Sequence, residues 1–333
     1  MKKILITGGA GYIGSHAAVE VLNSGYDIII VDNFYNSKPR AIENIKKITG
    51  KDFKFYECDL CNKKDVRKIF KENEIDAVMH FAGYKAVGES VAKPLMYYRN
   101  NIDSTLSLLE VMQEFACKKI VFSSSATVYG NPERLPIDEE CHLSTTNPYG
   151  TTKLYIEGIL KDLYVSDNDW SIAALRYFNP IGAHKSGLIG EEPNGIPNNL
   201  VPYIVKVANK ELPKLSIFGN DYDTIDGTGV RDYIHVVDLA KGHVKALEYL
   251  FNNKGIEFIN LGTGKGYSVL ELVNTFIKVN NVEVPYKIVD RRPGDIAACY
   301  ANPKKALEKL GWQAELGLED MLKSAYDFWI KNK

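Results

Sequence analysis

What the 333-residue chain has little of narrows its reading first. No run approaches the roughly 18 consecutive apolar residues that a membrane-spanning helix requires. The opening Met1-Lys2-Lys3-Ile4-Leu5-Ile6-Thr7-Gly8 also breaks its apolar stretch too early for a secretory signal. A cytoplasmic protein is expected. Net charge is nearly absent: 41 Lys and Arg against 42 Asp and Glu give −1, so no overall basic field draws the chain to nucleic acid or acidic lipid, and anionic partners need local sites. Cysteine is scarce. The five residues Cys58, Cys61, Cys117, Cys141 and Cys299 form no disulfide framework. Cys58-Asp59-Leu60-Cys61 is a lone C-x-x-C with no second pair to complete a zinc site and nothing thioredoxin-like around it, so it reads as reduced thiols at a strand end and no metal is expected.

What is present is ordinary in bulk and specific in detail. With 45% hydrophobic and 25% charged residues, the chain suits one large or two moderate domains. Residues 3 to 7 form a short apolar strand, Gly8-Gly9-Ala10-Gly11-Tyr12-Ile13-Gly14 follows, a helical run covers Ser15 to Asn23, and a second buried strand from Asp27 to Val31 ends at Asp32. This is a βαβ unit with glycines at its first crossing, where the backbone turns tightly and approaches a pyrophosphate that the helix N-terminus favours. Asp32 stands 18 residues after Gly14. There it can accept hydrogen bonds from adenosine ribose hydroxyls and repel a 2′-phosphate, which favours NAD over NADP.

Further strands are predicted at Asp52 to Tyr56, Ala77 to His80 and Lys119 to Ser123. Helices separate them, such as Ile102 to Ala116 with apolar Ile102, Leu106, Leu109 and Ala116. The alternation predicts an α/β fold with a doubly wound parallel sheet, a Rossmann domain over residues 1–180. A smaller, mixed α/β domain is expected over 181–333. Strands at Tyr233 to Val237 and Glu257 to Asn260 are placed to rejoin the first sheet, and Leu318 to Ile330 reads as an amphipathic helix. Ligands collect at carboxyl ends of such strands, here Thr7-Gly8, Asp32-Asn33, Asp59, Phe81-Ala82-Gly83 and Ser123-Ser124-Ser125. His80 reads as a packed core histidine. Arg231, Arg291 and Arg292 fall in loop-like segments, where two of them near an anionic ligand would clamp a diphosphate.

In Asn147-Pro148-Tyr149-Gly150-Thr151-Thr152-Lys153 a tyrosine and a lysine stand four apart at a helix start, so an ammonium can favour the ionised phenol. Tyr300 and Lys304 share that spacing, so the pair alone decides nothing. With the Ser123 to Ser125 strand end it supplies what hydride transfer at an alcohol carbon needs: a base, a second hydroxyl and a cation beside a nicotinamide. The constellation resembles the extended short-chain dehydrogenase/reductases that act on nucleotide sugars. The stretches from Thr7 to His16, Phe81 to Ser90, Ser123 to Gly130, Arg176 to Pro180 and Gly229 to His235 are similar to the UDP-glucose 4-epimerase family from end to end.

The resemblance implies reversible C4 epimerisation of UDP-glucose and UDP-galactose through a 4-ketone that turns over in the site, with tightly held NAD, in a homodimer. The helices at 102–116 and 149–163 have apolar faces that suit such a dimer. Tyr149 then resembles the base, Lys153 its support and Ser125 the hydroxyl partner. The cofactor contacts implied are Gly8, Gly11, Tyr12, Ile13, Gly14, Asp32, Asn33, Phe34, Tyr35, Asn36, Ser37, Asp59, Leu60, Phe81, Ala82, Gly83, Lys85, Asn100 and Phe178, with Ser125, Tyr149 and Lys153. Those implied for UDP are Asn179, Asn199, Leu200, Ser216, Ile217, Phe218, Arg231, Arg292 and Asp295. Cys299 matches a wall of the sugar pocket where stricter members have tyrosine, so the space it leaves suits an N-acetyl group at C2 unless a shifted Tyr300 fills it. Two rivals differ in class: a nucleotide-sugar 4,6-dehydratase, which needs a carboxylate pair beside the hydroxyl where this chain has Ser124 and Ala126, and a non-catalytic NAD sensor.

Overall fold

Short apolar strands alternate with helices from the first residues onward, and the chain winds accordingly. The computed structural model describes every residue except 193, 194, 196, 293 and 294. In order the elements are β1 (Lys3–Thr7), α1 (Tyr12–Asn23), β2 (Asp27–Asp32), α2 (Arg40–Thr49), β3 (Lys54–Glu57), α3 (Lys63–Glu72), β4 (Ala77–His80), α4 (Val87–Ala92) and α5 (Pro94–Glu114). Next come β5 (Lys119–Ser125), α6 (Pro148–Ser166), β6 (Ser171–Tyr177), β7 (Asn179–Ile181), α7 (Leu200–Ala208), β8 (Leu215–Phe218), β9 (Val230–His235) and α8 (Val236–Asn252). The chain closes with β10 (Gly255–Leu261), β11 (Gly266–Ser268), α9 (Val269–Asn280), β12 (Tyr286–Val289), β13 (Ala298–Cys299), α10 (Lys304–Leu310) and α11 (Leu318–Lys331).

Seven parallel strands make the main sheet in the order β10-β6-β5-β4-β1-β2-β3. Runs such as Ile28-Ile29-Ile30-Val31 are buried on both faces, which is why they read as continuous apolar stretches rather than alternating ones. One face packs with α1 and α8, the other with α3, α5 and α6. The winding reverses between β1 and β4, and their carboxyl ends diverge there into a crevice.

Three expectations shift. The strand at 230–235 stays out of the main sheet: it pairs with β7, β11 and β13 in a second sheet, while β10 joins β6. Strand composition does not choose a partner sheet; here β7 leaves the main sheet one residue after β6 and carries β9 with it. Helix α5 begins at Pro94, a residue pre-set for a first helical turn. Its buried face is Asn101, Thr105, Leu108, Leu109 and Met112, whereas Leu106 and Ala116 face solvent. Tyr300 lies outside α10, so it shares no helical face with Lys304.

Candidate active site

The glycine turn is built to let something approach closely. Gly8 has φ +68°, and a Cβ there would stand 2.7 Å from the Ala82 amide nitrogen; at Gly14 it would stand 2.2 Å from the Gly8 carbonyl oxygen. Neither position admits a side chain, so bare backbone and the first amides of α1 face the crevice. Asp32 closes the far side. Its Oδ2 accepts from the Ala10 amide at 3.0 Å, and its Oδ1 accepts from the Phe34 amide at 2.9 Å and the Ser37 hydroxyl at 2.7 Å.

These groups border a cavity of about 640 Å³. On its wall lie Gly8, Gly11, Tyr12, Ile13, Gly14, Asp32, Asn33, Tyr35, Asn36, Ser37, Asp59, Leu60, Phe81, Ala82, Gly83, Lys85, Asn100, Tyr149, Lys153 and Asn199. Phe34 is off the wall: at φ +55° its ring turns back onto Phe55, centroids 5.2 Å apart. Phe178 is off it too, buried with Val128 and Tyr129 beside Cys299. Size, glycine cradle and strand-end carboxylate fit a dinucleotide.

Helix α6 brings the reactive groups to the same wall. The Asn147 side chain caps it by accepting from the Gly150 amide at 2.9 Å, and Pro148 opens the first turn. Lys153 is buried and donates from Nζ to the Ser123 carbonyl at 2.7 Å, with Nζ 5.9 Å from the centre of the Tyr149 ring. Burial pulls its ammonium down to about 8, with Glu157 opposing. Burial pushes the Tyr149 phenol above its ordinary value, and Ser125 pulls it the other way. In the protein alone desolvation outweighs the Ser125 hydrogen bond, so the phenol stands above its ordinary value rather than below it as the sequence suggested.

Alternation along β5 sends Ser123 and Ser125 to one face of the sheet and Ser124 to the other. The Ser125 hydroxyl accepts from the amide and hydroxyl of Thr127, at 3.2 and 3.0 Å, although Ser125 is set back from the cavity wall. Ser124 donates to Glu157 at 2.5 Å, and Glu157 takes a two-pronged bond from Arg176 at 3.0 and 2.7 Å. This pair is buried, so it anchors the strand ends from beneath. His80 is likewise buried, 2.7 Å from the Thr7 hydroxyl and 3.0 Å from that of Thr105.

Apart from Asn199, the residues implied for UDP, and Cys299 with them, lie off the cavity wall. Arg231 is on β9 rather than in a loop; its guanidinium donates to the carbonyls of Val230 and Ile296 and stands 3.8 Å from Asp295. Arg292 stacks 4.0 Å over Phe218, and Cys299 pairs in register with Arg231. Ile217 points into the core of the second half while Ser216 and Phe218 are only partly covered, so the Ile217 side chain is not open to a ligand. Leu200 starts α7 and packs partly on that core; Asn179 is exposed at the start of β7. Arg291 is taken up by Asp221 at 2.7 Å and by the Tyr222 ring. The Tyr300 ring, just past the end of β13, lies against Gly266, where a Cβ would be 3.2 Å away.

Among the wall residues that sequence reasoning did not single out, Tyr177 and Glu191 bear most on the site. Tyr177 lay within the Arg176 to Pro180 stretch but shows no spacing of its own. Glu191 Oε1 accepts from Asn199 at 2.7 Å and from Lys85 at 3.2 Å, joining the two halves across the cavity. Cys58 and Cys61 lie nearby, their thiols pushed up to about 11 and about 12 by burial and neighbouring carboxylates, away from reactive thiolate.

A doubly wound sheet with a glycine-turn crevice, strand-end serines and a Tyr-Lys helix defines an extended short-chain dehydrogenase/reductase. Residues 5–325 match the family model described as GDP-mannose 4,6 dehydratase. The chain is 62% identical to the UDP-glucose 4-epimerase of Bacillus subtilis (strain 168) over 99% of its own length and 97% of the relative's. It is 56% identical to the UDP-glucose 4-epimerase of Bifidobacterium longum solved in complex with NAD+ and UDP, with 99% of each chain covered and a TM-score of 0.96. The UDP-Glc/GlcNAc 4-epimerase of Campylobacter jejuni is 36% identical, covering 99% of this chain and 100% of that one, with a TM-score of 0.87. The chain belongs to the UDP-glucose 4-epimerase family.

Proposed function

We propose that the protein interconverts UDP-glucose and UDP-galactose at C4 with resident NAD. The observation that carries this is the placement of Tyr149 and Lys153 on the wall of a cavity shaped for a dinucleotide. When bound, NAD supplies the reversible hydride acceptor and a positive ring charge. Tyr149 takes the proton of the sugar 4-hydroxyl and returns it, acting as base and then as acid in one turnover. Lys153, oriented by the Ser123 carbonyl, steadies the phenolate, and Ser125 bonds the reacting oxygen. Gly8, Gly14 and Asp32 hold the cofactor, with Lys85 and Asn100. Arg231, Arg292, Phe218 and Asn199 grip UDP while the hexose stays free to turn. Ser125 has Ser124 and Ala126 as neighbours, with no carboxylate pair for dehydration.

Incubation with UDP-galactose, with and without added NAD, followed by sugar analysis, tests this. UDP-glucose is expected. A 4-keto-6-deoxy sugar would instead make the protein a dehydratase, and an unchanged substrate would make it an NAD sensor. Cys299 supports a wider range that includes UDP-N-acetylglucosamine and UDP-N-acetylgalactosamine, because a thiol leaves room that a phenol would fill and the Tyr300 ring packs by Gly266. Among the described residues no helix is long and apolar enough to cross a membrane; the five free cysteines support a reducing, cytoplasmic setting. Exposed Leu95 on α5 and Tyr155 on α6, the latter stacked with Tyr98 at 6.2 Å, support a homodimer through these helices.

A further inference from the structure

Tyr177 on the cavity wall is held from behind by a histidine that does not reach the cavity. His243, on α8, is fully buried. Its Nδ1 is 2.8 Å from the carbonyl oxygen of Leu239, one turn earlier. A carbonyl only accepts, so Nδ1 carries the hydrogen. Burial pulls the imidazole down to about 4, so the ring is neutral at physiological pH and Nε2 is bare. That nitrogen is bonded to the Tyr177 hydroxyl, which must therefore be the donor. The phenol's single proton is spent on the side away from the cavity. The same imidazole packs against Phe81, another wall residue, with ring centres 4.8 Å apart.

We propose that His243 is a positioning residue for the reacting edge: by holding the Tyr177 proton it leaves the Tyr177 oxygen an acceptor only, unable to donate to Tyr149. The inference rests on Tyr149 being the base. A hydrogen bond donated to a phenolate stabilises it and lowers its proton affinity. Ser125 already acts in that direction, and a second donor would weaken the base further. Beside Tyr149 stand Lys153 from its own helix and Ser125 from β5, and Tyr177 of β6 is near enough to feel its charge, with Ser123 as a further hydrogen-bonding neighbour of the Tyr177 hydroxyl. Behind Lys153, His80 of β4 is neutral, its pKa pulled to about 3, and occupied by two threonine hydroxyls.

The tautomer is read directly by 15N NMR of histidine-labelled holoenzyme, with the His243 signals assigned by their loss in His243→Leu. A bare Nε2 is expected between about pH 5 and 9; an Nε2–H form or a charged ring overturns the proposal. The kinetic arm is the pH profile of kcat. In His243→Leu the freed Tyr177 proton should move the acid limb down by about half a unit to one unit. The same change in a Tyr177→Phe background should move nothing, and His243→Gln, whose amide oxygen can take the proton, should restore the original limb. An unmoved limb in His243→Leu, or a shift that persists without the Tyr177 hydroxyl, overturns it. Should His243→Leu not fold, Tyr177→Phe alone decides: an acid limb in its original place supports the proposal, and a limb moved upward shows that Tyr177 had been donating to Tyr149. Normal turnover in Tyr149→Phe would remove the base assignment itself while leaving the tautomer result intact.

Discussion

Tyr149 and Lys153 depart from their ordinary values in opposite directions for one reason, burial, which penalises the charged form of each. Tyr149→Phe should keep NAD and UDP bound while turnover falls by about three orders of magnitude or more; ligand content by absorbance and a progress curve check both halves. Because Lys153 supports the phenolate only while it is charged, and its ammonium is lowered to about 8, activity should decline as pH rises through that value. Lys153→Arg keeps its charge to far higher pH, so what activity it retains should lose that alkaline limb. Cys299→Tyr should abolish turnover of the N-acetylated sugars and spare the plain ones, measured as the ratio of the two kcat/KM values. The sequence singled out Tyr149, Lys153 and Ser125 as candidates for the chemistry. It could not show the sign of the Tyr149 shift, because desolvation depends on what the other strands place around the ring.

At the level of elements, the glycine turn, strand-end Asp32 and the opening of α6 were legible, since each is a local pattern with a local cause: bare backbone, a carboxylate at a strand terminus, a cap followed by proline. Gly14→Ala tests the turn. Its Cβ would meet the Gly8 carbonyl oxygen at 2.2 Å, so the turn must shift at a cost of about 1–3 kcal/mol, seen as a lower melting temperature and loss of co-purifying NAD. Less legible were features that depend on pairing. Phe34 sits inside the expected cofactor stretch, yet its left-handed backbone turns it onto Phe55. Tyr177 became visible only when the alternation of β6 put it beside Ser123 and Ser125. Arg231 looked like a loop residue because the strand was expected to begin only at Tyr233, whereas β9 begins at Val230 and draws its partners from distant parts of the chain.

For the molecule as a whole, the exposed apolar side chains on α5 and α6 predict the assembly. Leu95 is 81% and Tyr155 54% exposed, more than large apolar groups near one another usually are on a monomer. Leu95→Asp with Tyr155→Arg should halve the mass measured by light scattering after size exclusion, and an unchanged mass would place any interface elsewhere. One feature of the sheet also bears on how the protein is made. Strand β6, which ends in Tyr177, is covered on its outer edge only by β10, residues 255–261. While the chain is emerging from the ribosome, the first 180 residues can collapse and begin to enclose NAD, but they carry a bare strand edge that invites pairing with other chains. Synthesis must run through more than seventy further residues before that edge is sealed and the wall around Tyr177 completed. Nascent chains arrested within that interval should therefore depend most on chaperones.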